Sequence, residues 1–182
     1  KEGGTYFENV KNMAQWRFNE NIAELTKPVD KDKWGMSPQT VNAYYNPSNN
    51  EIVFPAAILQ PPFYNYKADE AVNYGGIGAV IGHEISHGFD DQGATFNAEG
   101  NLVDWWTADD LTAFTALGGA LANQYSVLEP LPGVFVDGKF TLGENIGDLG
   151  GVNAAYDGLQ LYLKENKNPG LIDGYTPEQR FF

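Results

Sequence analysis

The sequence predicts an α+β domain, mainly helical, with a small sheet or hairpins. Three observations carry that reading. Apolar residues recur at helical spacing over residues 5–26 and 143–165, and a capping signal opens a third helix at Thr107. A helical stretch over 69–89 is loaded with glycine. Two β-rich runs, 40–54 and 134–141, are each broken by a turn signal. The length of 182 residues suits one domain with a core large enough to fold by itself. Within it, residues 1–35 are expected to form a helix and connecting loop leading into a domain over 36–182.

The first helix follows from Tyr6, Val10, Met13, Phe18, Ile22 and Leu25, and Pro28 stops it. Residues 27–37 read as a connecting loop. Residues 40–45 and 51–54 are rich in β-formers and flank the turn Asn46-Pro47-Ser48-Asn49-Asn50, which predicts a hairpin. Pro55, Pro61 and Pro62 keep the next stretch irregular. The helix over 69–89 carries Gly75, Gly76, Gly78, Gly82 and Gly88. Each interior glycine costs a helix about 0.8–1 kcal/mol relative to alanine, so tight packing must offset it and the helix is expected to be buried. Thr107 with Asp110 resembles a capping box and opens a helix to about Tyr125. Val134–Val136, the turn Asp137-Gly138 and Lys139–Thr141 predict a second hairpin. Ile146, Leu149, Val152, Leu159 and Leu163 give the last helix, 143–165, its apolar side.

The formal net charge is −13, from 24 acids and 11 bases, and its distribution is uneven. Residues 68–157 hold fourteen acids and one base, Lys139; the rest of the chain is nearly balanced. No basic face exists to release phosphate counterions, so nucleic acid is excluded as a partner. No apolar run reaches the 18 or so residues of a spanning helix, and no polybasic segment favours a membrane surface. With no cysteine, disulfides and thiolate zinc sites are excluded.

The only two histidines stand in His83-Glu84-Ile85-Ser86-His87. Two histidines placed at random fall four apart in about 1% of cases, and a glutamate directly after the first lowers that below about 0.1%. On a helix, i and i+4 share a face, so both imidazoles reach one metal ion. The plain alternative is two unrelated histidines. A catalytic zinc usually takes three protein ligands plus water. The third must here be Asp or Glu, and the best candidate is Glu144 in Gly143-Glu144-Asn145-Ile146-Gly147-Asp148. Asp148, one helical turn on, is placed to accept the free N–H of a ligand histidine. The alternative for both acids is ordinary charge at a helix N-terminus.

Beyond this motif the chain resembles the neprilysin, endothelin-converting-enzyme and bacterial oligopeptidase O group of zinc metallopeptidases. The resemblance rests on Val41–Tyr45, Ile52–Pro55, Gln60–Phe63, Asn73–Gly78, His83–Asp91, Val103–Trp106 and Leu142–Asp148. It implies a thermolysin-like catalytic domain holding one Zn²⁺ through His83, His87 and Glu144. It implies Glu84 as the catalytic carboxylate, with Asp148 and Asp90 orienting the ligand histidines. Asn42 and Ala43 match the family's clamp on the substrate backbone, where an extended peptide lies along a strand edge. Ile58, Phe63 and Val80 would line the pocket for the side chain after the cut.

The implied chemistry is peptide-bond hydrolysis in oligopeptides or small proteins. A zinc-activated water gives its proton to Glu84, which later delivers it to the leaving amine. The resemblance favours an extracytoplasmic or cell-envelope setting, and the lack of cysteine favours a bacterial source. The family's oxyanion-stabilising histidine, its active-site arginine and its helical N-terminal domain have no counterpart here. The chain is therefore expected to be a C-terminally truncated piece that binds zinc and cleaves poorly. The rival reading is a non-catalytic zinc-binding fragment.

Overall fold

In the computed structural model the described residues are 3–166 and 168–182. The chain divides into two compact units, residues 1–35 and 36–182. The first unit is built on helix α1, Tyr6–Glu24, which opens with a reciprocal capping box between Thr5 and Glu8. None of its residues is buried, so the apolar positions that predicted the helix stay open to solvent.

The second unit is mainly helical with one small sheet, as the sequence predicts. A two-stranded antiparallel hairpin pairs β1, Tyr44–Asn46, with β2, Glu51–Val53, in the register Tyr44 with Val53 and Asn46 with Glu51. It is shorter than expected, because Thr40–Ala43 and Phe54 stay outside it, although Asn46 joins β1. Helix α4 (Ala108–Ser126) starts at the Thr107 cap, and α5 (Leu142–Glu165) is the long last helix.

The glycine-rich stretch is one continuous helical path with a change of winding. Asp69 caps α2, Glu70–Asn73; a π-helical segment follows over Tyr74–Gly78; then comes α3, Ala79–Ser86, and a 3₁₀ turn over His87–Phe89. Nothing in the residue pattern signals the π segment. Tertiary contacts explain it: the Phe63 carbonyl accepts from the Ile77 N–H at 2.7 Å, and backbone atoms of Phe63 and Phe181 fill the space a side chain at Gly76 or Gly75 would need.

The second expected hairpin, over 134–141, is not formed. The turn is instead Leu131-Pro132-Gly133-Val134, closed by the Val134 N–H on the Leu131 carbonyl, with Gly133 at φ +75°. Proline followed by glycine at the two central positions is the pattern of a type II turn, and it outcompetes Asp137-Gly138. Asp137 leads into α5: its Oδ1 accepts from the Phe140 N–H and its carbonyl from the Thr141 N–H. Gly138 lies against the Ala122 carbonyl and the Ser126 hydroxyl of α4.

Two cores hold the unit together. Ala71, Ala155, Leu159 and Phe181 bury one around α2, α5 and the short α6, Pro177–Phe181. Ala43, Ile58 and Ile77 bury the other beneath the hairpin, with Phe54, Phe63 and Val80 packed on it. Trp105 and Trp106 are packing residues: their indole N–H groups bind the carbonyls of Phe96 and Ala94, clipping down the loop that follows α3. Arg180 reaches both carboxylate oxygens of Asp69 at 3.1 Å, tying α6 to the start of α2.

Candidate active site

Helices α3 and α5 lie in direct contact, and glycine is the reason. A Cβ on Gly82 would stand 2.7 Å from the Gly151 Cα, so the two backbones touch. This crossing places His83 on α3, and His87 in the 3₁₀ turn that continues it, against the first turn of α5, with Glu144.

His83 Nε2 is 3.3 Å from Glu144 Oε2, and His87 Nε2 is 3.8 Å from the same oxygen. The second nitrogen of each ring is engaged. His83 Nδ1 lies 2.8 Å from Asp148 Oδ1, and His87 Nδ1 lies 2.7 Å from Asp90 Oδ2. Carboxylates only accept, so Nδ1 donates in both rings, and Nε2 is the atom each ring turns toward Glu144 and would offer to a metal when neutral. The rings stand edge to face with centroids 4.5 Å apart.

This donor set fits a zinc ion. Nitrogen and oxygen ligands at about 2.0–2.2 Å in a tetrahedron put donor atoms about 3.3–3.6 Å apart. The three donor atoms here lie within 4.8 Å of one another. Two neutral imidazoles and one carboxylate, each imidazole backed by a second carboxylate, suit a borderline divalent cation.

Glu84 is 5% exposed, although it follows a ligand position directly. Burial raises its carboxyl above the ordinary value and Glu144 adds to this, while His83, His87 and the Tyr45 backbone N–H oppose it. The net effect keeps its proton affinity high, which suits a group that must take a proton and return it. The Asp90 hydrogen bond raises the His87 imidazole against the effect of burial. Burial alone would raise Asp90, but His87 and the N–H groups of Gly93 and Gln92 hold it below its ordinary value. Both N–H groups donate to its Oδ1, at 2.6 and 2.8 Å, so the carboxylate is fixed from both ends.

Two cavities meet at this centre. One, of about 410 Å³, runs from Asn42 and Ala43 past His83, Glu84, His87 and Glu144. The other, of about 250 Å³, is walled by Val41, Ile58, Phe63, Val80 and Val152 and also reaches His83 and Glu84. Asn42 lines both. The Asn42 side chain accepts from the Ala43 N–H at 2.9 Å, and Ala43 is buried at 5% exposure. The structure thus brings every residue singled out in the sequence to the two cavities. A larger cavity, about 480 Å³, lies beyond Tyr45 against Ile85 and Phe89 and touches none of them.

Sequence reasoning missed three contributors: Tyr45, which lines the cavity and whose backbone lowers the Glu84 carboxyl; Gln92, whose amide holds Asp90; and Phe140 in the cavity lining. The Asp-x-x-Gly spacing after the histidine motif signalled the turn that makes Gln92 useful. A backbone contact such as that of Tyr45 leaves no trace in side-chain identity.

A helix bearing H-E-x-x-H, crossed by a second helix bearing a carboxylate, defines the class: a thermolysin-like metallopeptidase domain. The profile of Peptidase family M13 matches residues 42–182, and the chain belongs to that family. Neprilysin-11 of Caenorhabditis elegans is 46% identical over 186 residues, covering 100% of this chain and 22% of that protein. Human neprilysin is 44% identical over 181 residues, covering 97% of this chain and 24% of that protein. Among solved structures, the Mycobacterium tuberculosis zinc metalloprotease Zmp1 in complex with an inhibitor superposes with a TM-score of 0.85 at 60% identity, covering 90% of this chain and 26% of that one. The chain spans about a quarter of the length of these relatives. Among the described residues no helix is long and apolar enough to cross a membrane.

Proposed function

We propose that this chain holds one Zn²⁺ through His83, His87 and Glu144 and carries the catalytic centre of a metalloendopeptidase acting on oligopeptides or small proteins. One observation carries the reading: a buried glutamate with raised proton affinity beside two imidazoles whose free nitrogens converge on a third ligand. A structural metal site has no use for such a base.

Zinc, when bound, supplies a Lewis acid that polarises the scissile carbonyl and acidifies water. The residues do the rest. Asp148 and Asp90 hold the imidazole rings in register. Glu84 takes the proton of the attacking water and hands it to the leaving nitrogen. The substrate backbone lies along the segment Asn42–Ala43 that leads into β1, as an added strand. The pocket of Ile58, Phe63 and Val80 takes an apolar side chain on the carboxyl side of the cut. We further propose residues 36–182 as the catalytic domain, with 1–35 leading into it. An extracytoplasmic or envelope setting in a bacterium is proposed too. The bacterial source is supported by 60% identity to the mycobacterial protein against 44–46% to the animal relatives.

A second reading is favoured by the openness of one side of the centre, where the Glu144 and Asp148 side chains are 71% and 69% exposed. In it the chain holds zinc but does not turn over peptide unaided. One experiment separates the readings: zinc content and cleavage of a quenched fluorescent peptide, measured for the unsubstituted chain, Glu84→Gln and His83→Ala. The first two should hold one zinc per chain and His83→Ala none, with turnover confined to the unsubstituted chain. Zinc retained by His83→Ala, or turnover retained by Glu84→Gln, refutes the proposal. Zinc without turnover in the unsubstituted chain selects the second reading.

A further inference from the structure

The two cavities at the metal centre are not equivalent, and the direction of β1 orders them. Val41, at the amino end of the strand edge, borders the cavity of Ile58, Phe63 and Val80. Tyr45 and Pro47, at its carboxyl end, border the other. A peptide added antiparallel to β1 therefore places its carboxyl side over the first cavity and its amino side over the second. The second cavity is lined by the metal-site residues, by Tyr44, Tyr45 and Pro47 on the hairpin, and by Phe140 near the start of α5.

Phe140 is 87% exposed, among the most exposed large apolar side chains, and stacks on no other ring among the described residues. Its backbone is nevertheless fixed. The Phe140 N–H donates to Asp137 Oδ1 at 3.0 Å, and the Thr141 N–H to the Asp137 carbonyl at 3.1 Å. A single exposed phenylalanine needs no explanation of its own. One held on a rigid turn at the wall of the catalytic cavity, four residues before a candidate metal ligand, faces whatever occupies that cavity. We infer that Phe140 is a specificity-determining residue: it contacts an aromatic or large aliphatic side chain of the substrate on the amino-terminal side of the scissile bond. The inference rests on the site reading proposed above.

The test uses the zinc-loaded chain and two phosphinic peptide analogues with leucine after the phosphinic group and either phenylalanine or glycine before it. A leucine hydroxamate, which reaches only the metal and one cavity, serves as reference. Dissociation constants are measured by calorimetry for the unsubstituted chain, Phe140→Ala and Phe140→Leu. The unsubstituted chain should prefer the phenylalanine analogue about tenfold, the size of one good aromatic contact. Phe140→Ala should reduce that preference to about twofold or less, and Phe140→Leu should keep part of it. The hydroxamate and the glycine analogue should bind all three alike. A preference that survives Phe140→Ala, or an equal loss for both analogues, overturns the inference and leaves the site reading standing. If the unsubstituted chain holds no zinc or ignores the hydroxamate, the site reading fails and takes this inference with it.

Discussion

The contact between Gly82 and Gly151 ought to control metal binding from outside the ligand set, and Gly82→Ala tests this. The new Cβ would stand 2.7 Å from the Gly151 Cα and 2.9 Å from its carbonyl oxygen. Carbon atoms rest at about 3.5–4.0 Å, so the helices must part by about 1 Å. Neither side can give by rotating a side chain, because both contacts are backbone. Overpacking of this kind costs about 1–3 kcal/mol of stability. The metal site feels the same displacement, since His83 rides on α3, His87 on the turn continuing it, and Glu144 on α5. Their 3.3 and 3.8 Å separations would open toward or beyond 4 Å, well past the roughly 0.2 Å tolerance of a metal–ligand distance. Zinc affinity should fall by at least the 10–100-fold that follows loss of an orienting carboxylate. Competition against a calibrated chelator measures the affinity, and a thermal melt in chelator measures the fold. Because Glu144 is well exposed, its side chain has room to follow the helix. If Gly82→Ala lowers the melting temperature but binds zinc within twofold of the unsubstituted chain, the crossing is a packing device only and the reasoning is refuted.

Asp148→Asn keeps an acceptor for the His83 N–H but loses its charge. Zinc affinity should drop about 10–100-fold with the metal-free melting temperature unchanged; an unchanged affinity would show that Asp148 does not act through His83. Arg180→Ala leaves Asp69 facing a vacated, largely buried site, and should destabilise the chain by about 3 kcal/mol in urea unfolding. A loss below about 1 kcal/mol would mean that α6 is held by Phe181 alone. The His87–Asp90 pair predicts opposite pH trends for the metal-free and zinc-loaded chain. His87 has a raised folded pKa, so its contribution to metal-free stability is complete below its unfolded value and is lost as pH rises through the folded one. Asp90 is depressed, so its contribution is lost only as pH falls through its folded value. Zinc requires both imidazoles neutral, so zinc affinity should rise between about pH 6 and pH 8 while the His87 contribution to metal-free stability falls. Parallel trends in melts with and without chelator would contradict the assignment.

The residues that carry chemistry were easier to read from the sequence than the path of the chain between them. His83, Glu84 and His87 are four consecutive helical steps apart at most, so their shared surroundings follow from local geometry alone. Glu144 and Asp148 are one turn apart on a helix whose start was legible, although their approach to the histidines is tertiary. Helices α4 and α5 were legible because caps and apolar spacing are local signals. The π segment was not, because backbone atoms of Phe63 and Phe181, from distant parts of the chain, press on Gly76 and Gly75. The glycines announced close approach without saying that the winding would change. The misread hairpin has the same cause. Asp137-Gly138 is a good turn in isolation, but Gly138 is glycine because the end of α4 leaves no room for a side chain.

The arrangement divides labour between elements in a way that composition hides. The metal ligands and the carboxylates behind them come from α3, α5 and the turn after α3. The groups assigned to the substrate come mainly from the hairpin region and the wall beside it. The two sets meet at Glu84, whose carboxyl the Tyr45 backbone helps to hold down against burial. Four of the fourteen acids in residues 68–157 therefore crowd one centre: Glu84, Asp90, Glu144 and Asp148. Asp90 and Asp148 are balanced by imidazole N–H groups, and Glu84 is partly balanced by Tyr45. Glu144, on the open side, faces the Nε2 atoms of both imidazoles. A cation is the group that satisfies all three at once. At this centre the uneven charge of the sequence favours a cation, while Asp69, in the same acidic segment, is paired with Arg180.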